Sequence, residues 1–78
     1  MVKSLEERLK AVFEVVLERR FDSTDIDAQA CEEWDSLNHI KLVIRLESEF
    51  GIMISPGDIN DLYTDFAAVL AYLDAQTA

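Results

Sequence analysis

The spacing of apolar residues is the feature that most restricts the fold of this chain. In three segments the apolar positions recur every three or four residues, which places them on one face of an α-helix. No segment alternates apolar and polar residues for long enough to predict a strand. The 78 residues are enough for one domain, which we assign to 1–78. The pattern therefore predicts an all-α fold, a small bundle of three main helices plus one short helix.

Residues with helix-capping preferences mark where the first two helices begin and end. Ser4, with Glu7 three residues later, forms a capping box, and the apolar face that follows predicts a first helix running to about Arg20. Arg19 and Arg20 would then lie in the last turn, where the helix dipole favours cations. Asp35 is suited to cap a second helix, and Gly51 is suited to end it.

Two further helix starts follow the second helix. Ser55 and Pro56 form an N-cap with proline at the first helical position, which predicts a short helix from Pro56 to about Asp61. Thr64 is predicted to cap the last helix.

The segment 21–34, between the first and second helices, is rich in acids and shows no sustained period. It is therefore predicted to be a long loop, of a length that is uncommon in compact domains unless the loop has a function. Ile26 and Cys31 are the apolar residues that we expect to hold this loop against the core.

The net charge of −9 is unevenly distributed along the chain. Residues 1–20 sum to +1, whereas residues 21–78 hold twelve acids against Lys41 and Arg45 and sum to −10. Such an anionic surface repels nucleic acid and anionic lipid and attracts basic protein surfaces. No apolar run approaches the roughly 20 residues that span a bilayer, and the N-terminus has no apolar leader segment. We expect a cytoplasmic protein that acts on protein partners.

The sequence contains one cysteine and one histidine, which limits the possible catalytic and metal chemistry. Cys31 has no second cysteine with which to form a disulfide, and His39 alone cannot hold a metal ion. A Cys31–His39 dyad is the nucleophilic pairing that these residues would allow. As an isolated histidine on a helix, His39 is expected to lie in solvent or against a partner. We predict no metal site and no catalytic residue, and hence a protein that is not an enzyme.

The second helix carries more apolar residues than one buried face requires. Leu42 and Leu46 lie on a face that is suited to the core. Leu37, Ile40 and Ile44 form a second stripe beside the start of the helix. An apolar stripe that is partly exposed to solvent predicts a contact surface.

Ser36 is the first residue inside this second helix, directly after the cap residue Asp35. The leading amides of a helix are unpaired, and its dipole is positive at that end. A phosphate ester on the Ser36 hydroxyl would therefore lie in a favourable place. An isolated Asp-Ser pair is also an ordinary helix start, so these two residues alone do not decide between the two interpretations.

Over nearly all of its length the sequence resembles the acyl carrier proteins. The resemblance is carried by Asp35-Ser36-Leu37 at the start of the second helix and by the string Leu-Glu-x-Glu-Phe-Gly-Ile at residues 46–52. The helix start at Ser55-Pro56, the length of the chain and its acidity agree with it.

The resemblance implies that Ser36, flanked by Asp35 and Leu37, carries a covalent 4′-phosphopantetheine group. A phosphopantetheinyl transferase that requires magnesium would attach this group from coenzyme A. Its thiol would hold acyl groups as thioesters for a loading ligase or synthase and for downstream acyl-transfer enzymes. The carrier itself is expected to be a monomer whose core residues line a cleft that can shelter an acyl chain. The residues implied to contact partners are Leu37, Ile40, Lys41, Ile44 and Glu47.

The sequence departs from the family pattern at two positions near Ser36. Asn38 and Lys41 stand where carriers of primary fatty acid synthesis usually have acids. Residues 31–34 also lack the glycine pair that is usual in peptidyl carriers. We therefore expect a specialised carrier, in polyketide, polysaccharide-modifying or other secondary acyl chemistry. The alternative is a small acidic helical adaptor that binds a partner through the stripe of Leu37, Ile40 and Ile44 without a prosthetic group.

Overall fold

The apolar periodicity of the sequence corresponds to four α-helices in the computed structural model, which describes residues 4–77. Within this range there is no strand, and one isolated β-bridge joins Asp27 to Asp65. The all-α fold of three longer helices and one short helix is confirmed. None of the described helices is long and apolar enough to cross a bilayer. The helices are α1 (Leu5–Leu17), α2 (Ser36–Phe50), α3 (Pro56–Asp61) and α4 (Phe66–Thr77).

The core lies where α1 packs against α2 and α4. Phe13 of α1 is at its centre, with no solvent exposure. Its ring meets that of Trp34 edge to face at 5.0 Å between centroids, and that of Phe66 at 5.2 Å. Aromatic pairs at such distances contribute about 0.5–1.5 kcal/mol beyond the burial of their area. The buried apolar residues are Leu9, Val12, Phe13, Leu17, Ile26, Cys31, Trp34, Leu42, Val43, Leu46, Ile54, Leu62, Phe66, Val69 and Leu73.

The predicted cap of α1 is confirmed, but the helix ends earlier than expected. The Ser4 hydroxyl accepts a hydrogen bond from the Glu7 amide at 3.2 Å. At the other end the helix stops at Leu17, and Glu18 adopts the left-handed conformation with φ 52°. The Arg19 amide donates to the carbonyl of Glu14 at 3.2 Å, the bond that closes a Schellman C-terminus.

The prediction that Arg19 and Arg20 lie in the last turn of α1 is therefore wrong. The carboxylate of Glu14 accepts a hydrogen bond from the Phe21 amide at 2.9 Å, which turns the chain away from the helix axis. The guanidinium of Arg19 pairs with Glu33 instead of with the helix terminus.

The cap of α4 also differs from the prediction. Asp65, not Thr64, caps the helix, because its carboxylate accepts the amide of Ala68 in the first turn at 2.8 Å. The Thr64 hydroxyl donates to the Asp61 carbonyl at 2.9 Å, because α3 ends there and leaves that carbonyl without a helical partner.

The long loop 21–34 is held in place as predicted. Ile26 and Cys31 are buried, with 4% and 6% exposure. The Ala28 amide donates to Thr64 at 2.9 Å, and the Phe66 amide donates to Ile26 at 2.8 Å. These backbone bonds join the loop to the start of α4, so the chain that leads to α2 follows a defined path.

Replacing Gly51 with alanine is expected to lower the free energy of unfolding by about 1 kcal/mol. Gly51 ends α2 with φ +64°, and nothing lies within 4 Å of a Cβ built there, so the cost comes from the backbone conformation alone. Urea denaturation measures it. Gly57→Ala is the matched control, because that glycine also has open space but no positive φ, and it should leave stability unchanged or raise it. Equal losses at the two positions would contradict this explanation.

Candidate modification site at the start of helix α2

Ser36 stands at an exposed corner that short-range hydrogen bonds hold rigid. Asp35 before it is extended, and its carboxylate accepts the Asn38 amide at 2.9 Å. The Asn38 side chain donates to the backbone carbonyl of Glu33 at 2.6 Å. Hydrogen bonds therefore fix the backbone before and after Ser36, and Asp35 is the cap of α2 as predicted.

The Ser36 side chain itself is free. Within residues 4–77 its hydroxyl makes no hydrogen bond, and the residue is exposed. The amides of Ser36 and Leu37 lead the helix, and no acidic residue lies in its first turn. An anion bound to the Ser36 oxygen would meet the positive end of the helix dipole without a neighbouring carboxylate inside that turn. These features fit a phosphate ester at this position.

Beneath the site, Trp34 and His39 form a buried hydrogen-bonded pair. Trp34 is 1% exposed, and its indole nitrogen donates to His39 Nδ1 at 3.0 Å. An indole N–H can only donate, so Nδ1 must accept, and the ring proton of a neutral His39 lies on Nε2. That nitrogen lies 2.6 Å from the carbonyl oxygen of Ile59 in α3, to which it donates. One neutral imidazole therefore links the loop, α2 and α3.

The prediction that His39 lies in solvent or against a partner is wrong, because the side chain is 3% exposed. The sequence holds a signal that could have revealed this. His39 stands three residues before Leu42 and seven before Leu46, which places it on the core face of α2. The Cys31–His39 dyad does not form either, because both ring nitrogens of His39 are engaged elsewhere.

Tyr63 completes this group, which we name the Trp34–His39–Tyr63 cluster. Its ring stacks on that of His39, with 4.6 Å between centroids and 17° between planes. Its hydroxyl donates to the Trp34 carbonyl at 3.0 Å. These three side chains occupy the space between the start of α2 and the end of α3. Trp34 and Tyr63 were not among the site residues predicted from sequence.

The exposed stripe on α2 is confirmed. Leu37, Ile40 and Ile44 are 65%, 48% and 60% exposed, which is a large fraction for aliphatic side chains on one helix. Lys41 is exposed on the same side of the helix. The structure therefore brings together four of the five residues predicted to contact partners.

Glu47, the fifth, is engaged within the fold. It is half-buried, and its Oε2 accepts the Ile54 amide at 2.9 Å. This bond holds the connection between α2 and α3, so Glu47 stabilises the fold at the edge of the stripe.

The loop that precedes Ser36 carries one ion pair, the only one within residues 4–77. Arg19 and Glu33 approach to 3.1 Å, and the Cys31 thiol lies 3.5 Å from the same carboxylate oxygen. The pKa of Glu33 is lowered, first by a hydrogen bond from its own backbone, then by the Cys31 thiol and by Arg19. A lowered carboxyl pKa stabilises the fold at neutral pH, and this contribution is lost as the pH falls through that lowered pKa. Because the backbone carbonyl of Glu33 also accepts a hydrogen bond from the Asn38 side chain, the ion pair helps to position the loop before Ser36.

Among the described residues no cluster of histidine, cysteine and acidic side chains has an arrangement that could hold a metal ion. The chain matches no protein-family model and no curated protein. The exposed hydroxyl of Ser36 at the start of α2 is the feature of the described residues that bears most directly on function.

Proposed function

We propose that the protein is an acyl carrier that bears 4′-phosphopantetheine on Ser36. One observation carries this proposal: the serine of the Asp-Ser-Leu motif is exposed, opens α2 and makes no side-chain hydrogen bond to any residue of the range 4–77. A structural helix-start serine would more often occupy the cap position and bind an amide, as Ser4 does in α1. In α2 that work is done by Asp35, which leaves the Ser36 hydroxyl available.

The attachment reaction uses the Ser36 oxygen as the nucleophile. A bond forms between this oxygen and the phosphorus that bears pantetheine, and the pyrophosphate bond of coenzyme A breaks. Adenosine 3′,5′-bisphosphate leaves, and the hydroxyl proton passes to a base of the transferase. The amides of Ser36 and Leu37 at the start of α2 would stabilise the charge of the resulting phosphodiester. Once attached, the group supplies a thiol that carries acyl groups.

The charge near Ser36 supports a role in specialised acyl chemistry. Asn38 and Lys41 replace two acids, and no acid stands in the first turn of α2. A partner with a purely basic docking surface would therefore meet little attraction along the first two turns of the helix. We infer partners adapted to a mixed surface: a phosphopantetheinyl transferase, a loading ligase or synthase, and acyl-transfer enzymes.

Mass spectrometry of the intact protein tests the proposal. Incubation with coenzyme A, magnesium and a transferase of broad specificity should add the mass of one phosphopantetheine group, and fragmentation should locate it on Ser36. A wild-type chain that stays unmodified with several such transferases would refute the proposal.

The exposed stripe also favours a second candidate, an adaptor that binds a partner without a prosthetic group. The two candidates differ in what the Ile40→Asp and Ser36→Ala variants do once a partner is known. An adaptor should lose partner binding with Ile40→Asp and keep its full cellular function with Ser36→Ala. A carrier should lose its cellular function with Ser36→Ala even where the unmodified chain still binds. Complementation of a deletion strain, together with a pull-down of the partner, separates the two.

A further inference from the structure

An open groove of about 530 Å³ runs between the second half of α1 and the outer face of α2. Its apolar lining comes from both helices: Val15 and Val16 from α1 and Ile44 from α2. Val15 and Ile44 are 61% and 60% exposed, whereas Val16 is half-buried and packs against the core. The groove therefore extends the exposed stripe of α2 onto α1, at Val15.

Two cations stand on the α2 side of this groove. Lys41 and Arg45 are exposed, lie one helical turn apart and line the groove. Neither forms an ion pair within residues 4–77. Like charges at this spacing repel each other, and an anion between them would relieve the repulsion. Glu18 is the one acid among the described residues that line the groove, so this lining has a net positive charge on a protein of net charge −9.

We propose that this groove docks a partner protein through an aliphatic side chain flanked by carboxylates. The aliphatic side chain would cover Val15 and Ile44, and the carboxylates would pair with Lys41 and Arg45. Within the proposed function, this partner is one of the enzymes that load or unload the carrier. The surface would select partners by a charge pattern opposite to that of the acidic remainder of the chain.

The charge distribution favours a protein over a polyanion as the occupant. Residues 21–78 have a summed charge of −10 and repel a nucleic acid or an anionic membrane. Two cations are too few to offset this repulsion. A protein surface can instead present two carboxylates locally and remain uncharged or basic elsewhere. The apolar lining also requires an apolar side chain, which a phosphate backbone does not supply.

Two designed helical peptides with the same aliphatic stripe test the proposal, one with glutamates flanking the stripe and one with lysines. Each is titrated into the unmodified protein, and the methyl resonances of Val15 and Ile44 are followed by NMR. The glutamate peptide should bind more tightly and shift these methyls. Lys41→Glu should weaken its binding by about fivefold, as expected for one partly exposed ion pair. The double variant Lys41→Glu/Arg45→Glu should prefer the lysine peptide.

Arg20→Glu is the matched control, because it makes the same change in net charge at an exposed residue that does not line the groove. It should leave the affinity for the glutamate peptide within about twofold of wild type, because salt screens the effect of an exposed charge outside the groove. The proposal is overturned if Arg20→Glu weakens binding as much as Lys41→Glu does, if the wild type prefers the lysine peptide, or if the shifts lie outside the groove. Self-association through Val15 and Ile44 in ultracentrifugation would also overturn it. Since the chain is unmodified, none of these outcomes bears on the attachment of a group to Ser36.

Discussion

Ser36→Ala is expected to abolish phosphopantetheine attachment completely, with no mass gain under conditions in which the wild-type chain is fully converted. Alanine removes the only atom of this side chain that can form the phosphodiester. The effect should be confined to chemistry, because the Ser36 hydroxyl makes no hydrogen bond within the described residues. The cap of α2 depends on Asp35 and remains in place. The thermal unfolding midpoint should therefore change little, while attachment falls below detection.

Ser48→Ala is the matched control for this variant. Ser48 is also exposed on α2 but lies three turns further along, away from the free amides at the start of the helix. It should accept the group on Ser36 at the wild-type rate. A Ser36→Ala chain that still gains the group would refute the assignment of the site. A Ser36→Ala chain that unfolds would show that the hydroxyl has a structural role.

His39→Leu is expected to lower the free energy of unfolding by about 2–4 kcal/mol. Leucine fills much of the same space, but it leaves the Trp34 indole N–H and the Ile59 carbonyl without the partners that His39 supplies at 3.0 and 2.6 Å. Unpaired buried polar groups carry their full desolvation cost. Domains typically unfold with a free energy of about 5–15 kcal/mol, and small domains lie near the low end of this range, so the loss would be a large fraction of the total stability. Urea denaturation followed by far-ultraviolet circular dichroism measures it, and this readout does not depend on Trp34.

Two further variants distinguish this explanation from a general loss of packing. Tyr63→Phe removes one hydrogen bond of the same cluster, from its hydroxyl to the Trp34 carbonyl, and should cost about 0.5–1.5 kcal/mol. Trp34→Phe removes the indole donor, so adding it to His39→Leu should cost less than the sum of the two single changes. If the changes at Trp34 and His39 are additive, or if Tyr63→Phe costs as much as His39→Leu, the hydrogen bonds do not account for the effect.

Local sequence patterns predicted the helices well because helices depend on contacts between near neighbours. The starts of α1, α2 and α3 follow Ser4, Asp35 and Ser55 as expected. The predictions of the end of α1 and of the cap of α4 were wrong, because a polar side chain at each of these places can bind more than one backbone group. The Glu14 carboxylate accepts the Phe21 amide beyond the end of α1, and the Thr64 hydroxyl donates back to α3 and leaves the cap of α4 to Asp65.

The sequence by itself determined that the chain is helical, that Ser36 opens α2, and that Leu37, Ile40 and Ile44 form an exposed stripe. Each of these follows from the helical period or from a cap within a few residues, where separation along the chain sets separation in space. The tertiary structure alone decided the roles of two other groups of residues. The helical period places His39 on the core face of α2, but only the packing of α3 supplies its partner, the carbonyl of Ile59 twenty residues away. Val15 joins Lys41 and Arg45 in one groove because α1 packs beside α2. Such encounters depend on how the helices pack against one another, which no pattern along a single helix encodes.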